Sequence, residues 1–158
     1  MDFPIDEKRV RLAYDAAGKY LSASPRSEKE VKEKLYSKGF HKDEVEGAIE
    51  KCKLYHFIDD EAYVRTFLEF YKNKYGAKKL AYKLTTEKGI NRELVDNLIA
   101  DELPDDLELQ KAKDCAEKYI LQKKFDKKDV SKVAAFLFQR GFEWNIINQA
   151  LNDIFVEF

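Results

Sequence analysis

From Val10 onward, apolar residues return at Ala13, Ala16 or Ala17, and Tyr20 or Leu21, the three-and-four spacing that lines one face of a helix. That spacing predicts a first helix ending near Ser22. Ser24-Pro25-Arg26 breaks it, because a proline cannot continue the turn before it, and Ser27 with Glu30 then forms a capping box for the next start. A second helix runs to about Lys38, where Gly39 supplies the left-handed residue that a helix stop favours. Val45, Ala48, Ile49 and Cys52 lay the apolar stripe of a third.

The same order of signals comes back twice. Asp59 and Asp60 open a helix carrying Tyr63, Phe67 and Phe70, Gly76 precedes another with Leu80 and Leu84, and Gly89-Ile90-Asn91 leads into Leu94, Val95, Leu98 and Ile99. Pro104 closes this group. Asp105 and Asp106 open a helix with Leu109, Ala112, Ala116 and Ile120; Val130, Val133 and Leu137 mark an eighth; Gly141-Phe142 turns into a ninth with Ile146, Ile147, Ala150, Leu151 and Ile154. Laid on one another, Lys38-Gly39-Phe40, Lys88-Gly89-Ile90 and Arg140-Gly141-Phe142 each join a basic residue, a glycine and a large apolar residue, with the glycines 50 and 52 positions apart. Six residues beyond each glycine stand Val45, Val95 and Ile147, and ten beyond stand Ile49, Ile99 and Leu151. The pattern predicts an all-α fold of three tandem three-helix repeats, nine helices forming an elongated, curved array, with repeats over 1–57, 58–104 and 105–158.

Composition agrees with helices. Among 158 residues there are three prolines and six glycines, while apolar residues make up 44% and charged residues 37%, enough for a core under a dense ionic surface. A net charge of -1 excludes wholesale attraction to nucleic acid or anionic membrane and leaves local patches to be found. Cys52 and Cys115 are far apart and lack the paired spacing of a zinc site, so buried, reduced thiols are expected. The stretch from Met1 to Arg11 is charged, and nothing approaches the roughly 18 apolar residues of a membrane span, which predicts a cytoplasmic protein.

Catalytic constellations are missing from the sequence. Asp59-Asp60 and Asp105-Asp106 stand before helical patterns, where a carboxylate caps backbone donors and meets the positive end of the helix dipole. His41 and His56 have no neighbours at ligand spacing, and no nucleophile elbow or phosphate-cradling glycine loop occurs. The expectation is a non-enzyme with no catalytic residue, metal or cofactor.

The informative charge lies between residues 65 and 92, where eight basic residues face two acids, Glu69 and Glu87. From Phe70 to Thr86 there is no acid. At about 100 degrees per residue, Lys78, Lys79, Tyr82 and Lys83 span about 140 degrees of one helix face, with Ala77, Leu80, Ala81 and Leu84 on the other. Lysines beside a tyrosine suit a phosphate backbone, and Tyr71, Lys72, Lys74 and Tyr75 widen the patch. With Arg65 and Lys88 these form the candidate site for a filament or nucleic acid; the competing reading is a solvated face with Tyr82 packed on a neighbouring unit. Lys111 to Lys132 carries eight lysines mixed with Asp114, Glu117, Asp126 and Asp129, the pattern of a soluble surface. The aromatic tail from Phe142 through Trp144 to Phe155 and Phe158 offers a partner-binding patch as one reading, but it keeps helical spacing and is assigned to the core.

Several strings resemble the RecX family of recombination regulators. Arg26-Ser27-Glu28 with Lys34-Leu35 and Lys38-Gly39-Phe40 is similar to that family's first repeat, and Phe57-Ile58-Asp59-Asp60-Glu61-Ala62-Tyr63 resembles its most distinctive segment. Gly76, Leu84 and Lys88-Gly89-Ile90 continue the likeness, which is close from Leu21 to Ile99 and rests mainly on Arg140-Gly141-Phe142 in the last unit. The resemblance implies a nine-helix regulator of homologous recombination and DNA repair that binds the filament of the RecA recombinase, lying in its groove. It implies inhibition as the usual outcome, contact with single- or double-stranded DNA that is weak by itself, no membrane partner and a monomer. Where family members are often arginine-rich and basic, this chain is nearly neutral and uses lysine. Two other classes remain open: a stand-alone DNA-binding helical module, and a peptide-binding helical scaffold with an apolar groove.

Overall fold

A computed structural model describes residues 6–156, and every regular element among them is helical. Met1–Ile5 and residues 157–158 lie outside the described residues, and with them the start of the charged amino-terminal stretch and Phe158 of the aromatic tail. The helices are α1 (Glu7–Ala23), α2 (Glu28–Ser37), α3 (Lys42–Leu54), α4 (Asp60–Tyr71), α5 (Ala77–Tyr82), α6 (Arg92–Glu102), α7 (Asp105–Lys123), α8 (Val130–Arg140) and α9 (Trp144–Phe155). No described helix is long and apolar enough to cross a membrane.

The chain divides into two compact units. One runs up to Val64 and adds Lys88–Ile90; the other takes Arg65–Glu87 and everything from Asn91 onward, so the division falls inside α4. In the first, α1, α2 and α3 pack on one another. Ala13, Ala17, Val31, Leu35, Val45, Ala48, Ile49, Cys52 and Ile58 fill their core, and small alanines on α1 and α3 let those helices approach closely. In the second, α7, α8 and α9 enclose Ala112, Ala116, Val133, Leu137, Phe142, Ile147 and Ala150, while α5 packs on α6 over Leu80, Leu84 and Val95.

Helix starts follow the local chemistry with two departures. The expected capping box forms: the Ser27 hydroxyl accepts from Glu30 N, and Glu30 Oε1 accepts from Ser27 N at 3.1 Å. Asp59 caps α4 by accepting from Ala62 N at 3.1 Å. Asp60 does not cap its own helix; its Oδ1 accepts from Glu28 N at 3.0 Å and so caps α2. Asp105 and Asp106 are also no caps. They occupy the first turn of α7 behind Pro104, where they meet the dipole instead.

The three aligned glycines share one backbone conformation, with φ of +91° at Gly39, +67° at Gly89 and +94° at Gly141. His56 and Lys124 enter the same left-handed region at +60° and +57° without any glycine or asparagine to announce it. Cys52 is buried and Cys115 half-buried, both free, and burial pushes both thiols up.

A helix-interior glycine and a close-approach glycine respond oppositely to a methyl group. A Cβ at Gly18 in α1 meets nothing within 4 Å, so Gly18→Ala raises stability by about 0.5–1 kcal/mol through lost unfolded-state entropy. A Cβ at Gly76 falls 2.4 Å from the Gly141 carbonyl oxygen, backbone that cannot swing aside, so Gly76→Ala costs about 1–3 kcal/mol. Urea denaturation of the two variants measures both signs.

A half-buried cluster in the first unit sets a pH window. Lys88 Nζ donates to Glu30 Oε2 at 3.4 Å, and Tyr63 hydrogen-bonds both. Burial pushes the Glu30 carboxyl up, but the Ser27 N–H, the Lys88 ammonium and the Ser27 hydroxyl outweigh it and hold the carboxyl below its ordinary 4.5. Burial pushes Lys88 down, yet Tyr63 and Glu30 leave it above 10.5; burial and Glu30 hold the Tyr63 phenol above 10.0. Glu30 therefore contributes stability above its unfolded value that is lost as pH falls through the lower folded one. The contributions of Lys88 and Tyr63 are complete below about pH 10 and fade as pH rises through their raised values. Lys88→Met moves the acid-unfolding midpoint, followed by circular dichroism, to higher pH and makes the alkaline limb shallower.

Candidate nucleic-acid interface

Helix α5 is short, and the start that aims its lysines is built from other segments of its unit. Gly76 N donates to Arg140 O at 2.7 Å, Lys78 N to Gly141 O at 3.0 Å, and Ala77 N to Glu108 Oε2 at 2.9 Å. Glu108, 3% exposed, is charge-balanced by an ion pair with Lys111. The first-turn donors that a helix leaves orphaned are thus taken by the carboxyl end of α8 and by α7. Leu80 and Leu84 point inward, fully buried, leaving Lys78 and Tyr82 exposed and Lys79 and Lys83 half-exposed.

The helix does not continue as α. Lys83–Glu87 forms a π-helical turn, and the Thr85 hydroxyl donates to Ala81 O at 2.8 Å within it. Sequence periodicity predicts an uninterrupted α-helix here, since a π turn has no residue signature. The wider turn keeps Leu84 buried while passing the chain on to Gly89.

Tyr75 is the hub of the charge cluster. The ammonium groups of Lys74, Lys79 and Lys83 stand 5.2, 4.7 and 5.3 Å from its ring centre, and the ring stacks on Tyr71 at 6.0 Å. A hydrogen bond from Lys74 lowers the Tyr75 phenol from its ordinary value against the opposing effect of burial, and the charges of Lys74, Lys83 and Lys79 add to the lowering. Beyond the hub, Phe67 and Phe70 pack on Tyr71 at 4.6 and 4.8 Å, and Phe70 is 77% exposed.

The other candidate residues differ in how far their charge is spoken for. Among the described residues no carboxylate pairs with Lys74, Lys78 or Lys79; Lys79 Nζ donates to Gln139 O at 3.4 Å. Lys83 has a loose contact with Glu87 at 3.8 Å. Lys72 bonds Glu69 at 2.8 Å, and Arg65 pairs with Glu102 and Asp101. Lys88 belongs to the first unit, in the Glu30 cluster described above. Tyr82 is 60% exposed and packs on no neighbour that would hide it.

Sequence reasoning passed over two participants and assigned a third to the core. Arg140 Nη1 donates to Lys74 O at 3.0 Å, and Lys111 Nζ donates to Tyr75 O at 3.0 Å, so both hold the loop between α4 and α5. Trp144 is the third: Phe142 is buried as the core assignment expects, but Trp144 is half-exposed and stacks on Phe138. The basic residue of the repeated basic-glycine-apolar string was the available signal for Arg140. A cleft of about 670 Å³ is lined by Ala77, Ala81, Ile99 and Ala100 together with Lys78 and Tyr82, but Asp96, Asp105 and Glu143 line it too and make its interior a poor place for phosphate. No group of three or more potential metal ligands occurs among the described residues.

Comparison with known proteins explains the architecture. The family model for the first three-helix domain of RecX matches residues 13–52, and that for the third three-helix domain matches residues 106–151, a firmer likeness in the last unit than its one string suggested. The Regulatory protein RecX of Clostridioides difficile (strain 630) is 32% identical over 154 residues, covering 95% of this chain and 71% of that protein. Its namesake in Caldanaerobacter subterraneus subsp. tengcongensis is 28% identical over 144 residues, covering 90% and 71%. The crystal structure of RecX from Lactobacillus salivarius matches with a TM-score of 0.85 at 26% identity, over 94% of this chain and 97% of that one. Matched at both ends by the family's domain models and along nearly its whole length by those relatives, the chain belongs to the RecX family of regulatory proteins.

Proposed function

We propose that this protein is a non-enzymatic, monomeric cytoplasmic regulator that binds the RecA recombinase filament and inhibits it, with Lys74, Lys78, Lys79, Lys83, Tyr75 and Tyr82 facing filament acids or DNA phosphate. The observation that carries this reading is the convergence of three ammonium groups on one tyrosine ring without a matched set of carboxylates. Like charges held so close repel one another, and the ring face offsets that by only about 0.5–1 kcal/mol per contact at an exposed site. An arriving polyanion removes the repulsion and releases its own counterions, so both terms favour binding. Arg65, Lys72 and Lys88, already paired with acids, contribute mainly to holding their units together. The three repeats over 1–57, 58–104 and 105–158 are the units of that binding surface.

A stand-alone DNA-binding module is the second reading, favoured by the same lysines. Ionic strength separates the two. DNA affinity without recombinase should fall steeply with salt, by about 0.7–0.9 logarithmic units per phosphate contacted for each tenfold rise in salt, whereas protein contacts add affinity that salt removes less completely.

Lys78→Glu, Lys79→Glu and Lys83→Glu combined weaken binding to recombinase filaments by about tenfold or more at modest salt, measured by titration against preformed filaments. Filament-dependent ATP hydrolysis on single-stranded DNA decreases as the unaltered protein is added; an unchanged rate at saturating protein rejects the filament reading.

A further inference from the structure

We propose that Phe138 and Trp144 form a stacking platform for an unpaired nucleic-acid base, with Lys78 meeting the adjoining phosphate; this deepens the lysine-ridge reading above and rests on it. The two rings lie 5.2 Å apart at an interplanar angle of 23°, and they remain 44% and 50% exposed. The core does not need them. Leu137, Phe142, Ile146 and Ile147 beside them in sequence are buried and already fill the space among α7, α8 and α9. What is left is a flat aromatic face held at the surface by two helices, Phe138 near the end of α8 and Trp144 at the start of α9.

Charge selects the occupant. Lys78 Nζ stands 5.5 Å over the Phe138 ring, and no carboxylate among the described residues pairs with it. Lys79 reaches the Gln139 carbonyl oxygen at 3.4 Å, which puts a second ammonium against the same turn of α8. Glu143, next to Trp144 in sequence, makes no capping bond and lines the same cleft as Lys78, so a phosphate is met on the Phe138 side of Lys78 and not on the cleft side. An aromatic face with ammonium groups along one side matches a single strand, in which a base offers its π-face and the next phosphate its charge. A duplex keeps its base faces closed against their neighbours, so the platform discriminates in favour of unpaired nucleotides, where a ridge of lysines alone would not.

Trp144 is the chain's one tryptophan, so its emission reports on the platform directly. The full chain is titrated with an unlabelled oligothymidylate, with an abasic strand of equal length, with a duplex, and with recombinase protein free of DNA. Binding of the end-labelled strand is followed separately by anisotropy. Saturable quenching by oligothymidylate and none by the abasic strand is the expected result. Trp144→Ala weakens strand binding about tenfold, or about 1.4 kcal/mol, and Trp144→Phe by no more than about twofold, since phenylalanine keeps an aromatic face for the base. Equal quenching by the abasic strand, or unchanged affinity in Trp144→Ala, overturns the platform. Strand binding that is steeply salt-dependent but leaves the emission unchanged overturns it while the ridge reading stands. Quenching by the recombinase alone assigns the aromatic pair to a protein contact and likewise overturns it. Absence of strand binding overturns the platform too, and the filament titration then decides the ridge by itself.

Discussion

The close approach of Gly76 to the Gly141 backbone governs the second unit. There is no room for a side chain on either glycine at this seam, because a Cβ on Gly76 meets the Gly141 carbonyl and one on Gly141 meets Lys79 at 2.2 Å. In exchange, the carbonyls of Arg140 and Gly141 take the hydrogen bonds of Gly76 N and Lys78 N. The start of α5 is therefore anchored by backbone, the least adjustable part of the chain. Lys78 and Lys79, in the first turn of that helix, inherit their direction from it, which is why a helix of six residues can present a defined set of charges.

The protein keeps two kinds of charge. In the first kind, burial and a partner come together: Glu108 with Lys111 and the Ala77 amide, or Glu30 with Lys88 and Tyr63. Removing either member strands a charge in a poor solvent, so these pairs specify packing. In the second kind, at Lys74, Lys78 and Lys79, solvent and an aromatic face stand where a carboxylate would. Exposed ion pairs contribute little to stability, so the fold loses little by leaving these lysines without acids.

Much of the fold could be read from the sequence because its signals are local. The Ser27 and Glu30 box, the left-handed Gly39, Gly89 and Gly141, and the buried stripes of α3 and α9 each depend on residues within a turn or two. The two faces of α5 were legible for the same reason. What was hidden depends on distant partners. Asp60 looks like a cap for α4 and instead caps α2. Two left-handed residues were hidden for another reason: His56 and Lys124 close α3 and α7 where a glycine is usual, with Phe57 N donating to Cys52 O at 2.7 Å and Phe125 N to Ile120 O at 3.1 Å, and neither side chain signals it. Trp144 kept the helical spacing of a core residue, yet it lies past the edge of the core, and periodicity alone does not locate that edge.

The π turn at Lys83–Glu87 alters how a run of like charges should be counted. A turn that takes up more than the usual number of residues shifts the phase of everything after it, so residues on either side no longer share a face. Lys83 stays with Tyr75, whereas Lys88, five positions later, is delivered to Glu30. A basic stretch that reads as a single block along the chain is thus split into a part gathered on an aromatic ring and a part paired with a carboxylate, and the dividing line is the end of the helical run that the π turn closes.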